Sequence, residues 1–246
     1  MLVRLNRTFL LWPTVLTLAG VALLAGLGTW QLQRRQWKEA LIVKIAERIG
    51  APPLPLAEAE ARWGKGEDIE YLHVVALGRF RHDSERYLYS PGAEGLGWQV
   101  YTPLDLGAGR LLWVNRGVVP DARKAPATRA EGLQTGEVVV VGLLRPPARP
   151  HAFAPRNDVA HNLWYWPDVA ALGASLGPDA RTLPFTLEID RRPEPPGGLP
   201  RGGVTRVELP NHHLQYALTW YGLALVLISV YFAFAITRLG DHGRAQ

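Results

Sequence analysis

TFLLWPTVLTLAGVALLAGLGTWQLQ, residues 8–33, holds no charged side chain, and its reading settles the architecture. A helix needs roughly 20 mainly apolar residues to cross about 30 Å of hydrocarbon, and so long an apolar run is unusual in a buried core helix. Arg4 and Arg7 precede the run; Arg34, Arg35 and Lys38 follow it. Its length exceeds the roughly 7 to 15 apolar residues of a secretory signal, and no small-x-small cleavage pattern precedes the charges, so it reads as a retained anchor. A second run lies near the other end, where between Glu208 and Arg238 the only ionisable side chains are His212, His213 and tyrosines. A purely soluble protein is excluded. The expected fold class is an α+β membrane protein, in which a hairpin of two transmembrane helices brackets a β-rich extramembrane domain.

The expected order is a short tail (1–8), a first span (9–32), a juxtamembrane helix (33–50), the β-rich domain (51–210), a second span (211–237) and a short tail (238–246). In the first span Ala19, Ala22, Gly26 and Thr29 form a small-residue stripe at helical spacing, against which the second span can pack. After it, Leu41, Ile45 and Ile49 recur every four residues, which continues the helical pattern. The middle region holds all but one of the 20 prolines and breaks into short β-branched and aromatic runs. These predict strands at Tyr71–Phe80, Arg86–Tyr89, Trp98–Leu104, Leu111–Val119, Val138–Leu144 and Phe185–Ile189. Asp168 caps a short helix to Leu176, and Ala59 belongs to another. RRPEPPGGLPRGG, residues 191–203, reads as a linker back to the membrane.

The chain has no cysteine, which removes thiolate metal sites, disulfide exchange and thioether attachment of haem, and leaves metal work to histidine. The net charge of +5 is not gathered on a recognisable reading element, so no nucleic-acid partner is expected; the lipid bilayer is. Ser84, Ser90, Ser175 and Ser229 lie in no nucleophile motif, and no phosphate loop or dinucleotide fingerprint is present, so the chain is not read as an enzyme. His73, His82, His151 and His161 are too dispersed for a metal site and read as structural or solvated. In LLWVNRGVVP, Asn115, Arg116 and Gly117 read as a strand-end turn with an unusual backbone at Gly117 and a locally paired Arg116. Trp164, Tyr165 and Trp166 fit either a docking patch or a core plug.

The second span opens PNHHLQYALTWYGLA. His213, Tyr216 and Trp220 stand at i, i+3 and i+7, on one helix face, so an imidazole near the membrane surface has two aromatic rings below it. This suits a planar ring system with a central metal, haem above all, with an axial nitrogen and flat walls. Interfacial aromatics and a histidine near a helix start are equally an ordinary helix entry. His212 points about 100 degrees away and cannot share the face. Two spans place both ends of the chain on one side. Counting charges would keep the domain in the cytoplasm, but that rule weakens for connections beyond about 60 residues, so it does not set the orientation. Only seven residues precede the uncharged run, which leaves no room for a long Arg/Ser-rich transit peptide, so the expected location is a bacterial inner membrane.

Five segments together resemble the surfeit-locus family of cytochrome c oxidase assembly factors, in family order over nearly the whole chain. They are GTWQLQRRQWK (residues 28–38), WQVYTPL (98–104), LLWVNRGVVP (111–120), NLWYW (162–166) and NHHLQYALTWYGLA (211–224). The resemblance implies a bacterial inner-membrane protein with both termini cytoplasmic and the central domain periplasmic. It implies help in placing haem a into subunit I of the oxidase, with haem A synthase a further partner. The family's proposed haem ligand falls on His213, and its first-anchor motif on Trp30, Gln31, Arg34 and Lys38. With Tyr216 and Trp220 as walls, an arginine among Arg34, Arg35 and Arg206 would pair a propionate. The competing expectation is a scaffold that docks subunit I or haem A synthase without binding the cofactor.

Overall fold

The computed structural model describes residues 8–91, 96–150, 152–205 and 211–244. Contacts divide these into two units: the two ends of the chain, up to Lys44 and from residue 211 onward, and the stretch from Ile45 to residue 205. The first unit consists of helix α1 (Thr8–Gly50) as far as Lys44 and helix α4 (His213–Arg244). Both helices are long and apolar enough to cross a membrane. Almost none of their most apolar stretches is buried, which is how a lipid-facing helix differs from a core helix. α1 runs through residues 32 and 33 without interruption, so the first span and the juxtamembrane segment are one helix.

The second unit is built on β1 (Leu54–Pro55), α2 (Leu56–Gly64), β2 (His73–Phe80), β3 (Arg86–Tyr89), β4 (Gly97–Asp105) and β5 (Arg110–Pro120). It continues with β6 (Val138–Arg145), β7 (Leu163–Trp164), α3 (Val169–Ala174) and β8 (Arg181–Ile189). All six expected strands are present, and α3 is capped as expected, Ala171 N donating to Asp168 Oδ1 at 3.1 Å. Tyr71 has a φ of +61° and lies outside β2, whereas β8 starts four residues before the expected Phe185 because Arg181 and Thr182 pair with Arg110 and Leu111.

The strands lie in the order β1-β2-β6-β8-β5-β4-β3-β7. β2 also pairs with β4, Phe80 opposite Leu104, which closes five strands on themselves as a small barrel with β3 and β7 extending from it. Alternate residues face inward along β2 and β6. Val74, Ala76, Phe80, Leu104, Leu112, Val114, Val140, Leu144, Phe185 and Leu187 fill the interior. α2 adds Leu56 and Ala59 to that core, and the Trp63 ring meets Phe185 edge-on at 6.0 Å. A second cluster gathers Leu88, Tyr101, Trp113, Trp164 and Leu172. Trp164 is 1% exposed and is therefore a core plug rather than a docking surface.

Two readings of the sequence are corrected. Asn115, Arg116 and Gly117 lie within β5, not at its end: Tyr101 faces Asn115 and Gln99 faces Val118, so Arg116 and Gly117 form a bulge opposite Val100. Gly117 has a φ of +112°, and a Cβ there would lie 1.9 Å from the carbonyl oxygen of Arg201. Residues 191–203 are not a free linker. Val118 and Arg201 exchange two backbone hydrogen bonds, of 2.9 and 3.0 Å, and Gly203 N donates to Ile189 O. Glycines permit close approach there: the Gly132 backbone sits beneath the Leu199 carbonyl, and within the segment Gly202 sits beneath that of Asp190.

Candidate functional site

On α4 the buried and half-buried positions His213, Ala217, Trp220, Ala224, Leu227 and Tyr231 recur at alternating steps of four and three. α1 answers with Thr14, Thr17, Val21, Leu24, Gly28 and Gln31 at the same steps. This is the seam of a left-handed helix pair. Lipid offers no hydrophobic drive between helices, so small residues and hydroxyls hold them. A Cβ at Gly28 would lie 2.8 Å from Tyr221 Cζ, and one at Gly20 would lie 2.8 Å from Leu227 Cδ2. The hydroxyls of Thr29 and Tyr221 are 3.0 Å apart, and those of Thr14 and Tyr231 2.5 Å.

Of the expected stripe, Thr29 takes part. Gly26 has open space around it, and Ala19 and Ala22 are exposed. The spacing of small residues fits more than one face of α1, and the face in use is set by where the bulky Tyr221 and Leu227 fall. Tyr221 was not singled out from sequence, since its role depends on a glycine nearly two hundred positions earlier.

At one end of the seam the imidazole of His213 meets Gln31, with Nδ1 2.7 Å from Oε1. Its Nε2 has no hydrogen-bond partner among the described residues. Trp220 shares the half-buried face, while Tyr216 and Trp30 are 56% and 53% exposed, at the flanks of the seam. Among the described residues neither Tyr216 nor Trp220 stacks on the imidazole. Arg34 lies over the Trp37 ring at 4.1 Å and Arg35 pairs with Glu39 at 2.7 Å; Lys38 is also engaged. Arg206 lies outside the described residues. His212 is exposed, off the seam.

Among the described residues no three His, Asp or Glu side chains converge as a metal site. His73 lies 2.8 Å from both the Ala51 carbonyl and the Asp190 carboxylate, His82 lies 2.9 Å from the Gln134 carbonyl, and His161 lies 2.7 Å from Asp158. His151 is outside the described residues. A lone imidazole does not suit a bare ion that needs several protein donors. It does suit a metal already held in a planar ring that needs one axial nitrogen.

The β-rich unit hides a charged node that the sequence reading passed over. Glu85, 3% exposed, accepts from Arg129 Nη2 at 2.5 Å, from Tyr87 OH at 3.0 Å and from Thr102 Oγ1 at 3.4 Å. Arg116, also 3% exposed, approaches it at 3.5 Å, lies over the Phe80 ring at 4.7 Å and donates to the Gly132 carbonyl. Burial alone would raise the Glu85 carboxyl. Hydrogen bonds from His82 and Arg129, with the charges of Arg129 and Arg116, outweigh it and bring the carboxyl down to about 2. Burial lowers Arg116 to about 10, and the guanidinium stays charged at neutral pH. Two buried arginines around one carboxylate join β3, β5 and the 126–132 turn, which is structural work. Only the LLWVNRGVVP motif hinted at it, through Arg116.

Residues 18–225 match the sequence model of the SURF1 family. The chain is similar to Surfeit locus protein 1 of Xenopus tropicalis, 39% identical over 80% of this chain and 67% of that protein. It is similar to Surfeit locus protein 1 of Homo sapiens, 37% identical over 92% of this chain and 78% of the relative. The protein of that name from Takifugu rubripes is 36% identical over 87% of this chain and 93% of its own length.

Proposed function

Because the chain belongs to the SURF1 family, we propose that it is an assembly factor for a haem-copper (cytochrome c) oxidase, a carrier rather than a catalyst. It binds haem a between its two membrane helices and passes it to subunit I, receiving it from haem A synthase. The observation that carries this reading is His213: Nδ1 is engaged by Gln31, and Nε2 has no partner among the described residues. The porphyrin supplies the equatorial ligands, and one protein nitrogen suffices for a hold that can be released. Trp220, Tyr216 and Trp30 line the ring, and Arg34 is the described arginine nearest in sequence for a propionate. The membrane is the bacterial inner membrane, with both chain ends cytoplasmic and the β-rich unit periplasmic.

The test is the optical spectrum and pyridine haemochrome of the protein purified from cells that make haem a, alongside His213→Ala. Haem a in the parent and none in the variant is expected. Equal haem in both would dismiss His213 as the ligand. Haem in neither would move the reading to a scaffold that docks subunit I or haem A synthase. Arg116 and Trp164 are not probes of docking, because both are buried and their loss tests the fold.

A further inference from the structure

We infer that Gln31 is a positioning residue that selects which nitrogen of His213 faces the cargo, and is not itself a ligand. The inference rests on the carrier reading above. A neutral imidazole has one N–H and one lone pair. Nδ1 lies 2.7 Å from the side-chain oxygen of Gln31, which can only accept, and the ring hydrogen is therefore assigned to Nδ1. The lone pair is thereby placed on Nε2, the nitrogen without a partner among the described residues. Histidine ligands commonly donate their second ring nitrogen in this way, which fixes ring orientation and ligand basicity.

The surrounding contacts hold the two side chains together. Both side chains are half-buried on the seam, and one turn below Gln31 the close approach of Gly28 to Tyr221 and the Thr29–Tyr221 hydrogen bond set the helix register. An amide orients the ring without adding charge. A carboxylate in its place would accept the same hydrogen and push more electron density toward the metal, which suits retention more than hand-over.

The tautomer is read first, by 15N-histidine NMR at pH 8 on the full-length protein in lipid nanodiscs, without haem. The Nδ1–H form is expected for the parent and for Gln31→Glu, and its loss for Gln31→Leu. Haem a titration of the same proteins should give about 10- to 100-fold weaker binding for Gln31→Leu, by analogy with the loss of outer partners elsewhere. Binding should be restored or tightened, with a shifted Soret band, for Gln31→Glu. An Nε2–H parent would overturn the inference whatever haem does. Equal haem affinity in parent and Gln31→Leu, with His213→Ala empty, would overturn it and leave the carrier reading standing. No haem in the parent would overturn the carrier reading and the inference with it.

Discussion

Arg129 Nη2 lies 2.5 Å from Glu85 Oε2, with each side chain 1% exposed. Removing the carboxylate charge would leave two buried guanidiniums facing one another without an anion. Glu85→Gln should therefore destabilise the β-rich unit by about 3–5 kcal/mol. The midpoint of urea unfolding checks this, followed by the near-ultraviolet signal of the buried Trp113 and Trp164. An unmoved midpoint would mean the arginines find other acceptors.

The same carboxyl makes stability depend on acid. Its value falls from 4.5 to about 2 on folding, so its contribution is complete above about pH 4.5 and is lost as pH drops from there toward 2. The loss amounts to about 3 kcal/mol. Stability curves of the parent should steepen across that interval, and those of Glu85→Gln should lack that component. Parallel curves would rule Glu85 out as the source.

Gly117→Ala should release the strap that returns from β8. The substitution meets a left-handed backbone and the Arg201 carbonyl together, neither of which can yield as a side chain could. A loss of at least about 2 kcal/mol is expected. Trypsin should then cut after Arg191 and Arg201 faster than in the parent; unchanged cleavage would show that the strap is held without the Val118–Arg201 pairing.

Between the helices, Gly28→Leu should cost about 1–3 kcal/mol by forcing Tyr221 aside. Gly26→Leu, two residues away in open space, should cost almost nothing. Thermal unfolding of both variants in one detergent provides the comparison. Equal effects would mean that the seam does not run through Gly28.

Much of this molecule was legible because its signals are local. The apolar runs of α1 and α4 show residue by residue that both helices are long and apolar enough to cross a membrane. Alternation along β2 and β6 marks one inward face, and Asp168 caps α3 through a donor three residues away. The motif around His213 marked one face of α4 as the candidate site. Its half-buried face was legible only in part, since Trp220 joins the seam while Tyr216 stays exposed.

The remaining features depend on partners that no local pattern encodes. Barrel closure needs Phe80 to meet Leu104, and the Glu85 node needs arginines 31 and 44 positions away. Residues 191–203 read as a linker because proline and glycine suggest one in isolation; against β5 and β8 the same glycines allow contact. Gln31 and His213 stand 182 positions apart, and each helix alone offers several faces of similar spacing. The face in use follows from where Gly20, Gly28, Tyr221 and Leu227 interlock, because close packing, unlike hydropathy, is a property of two surfaces at once.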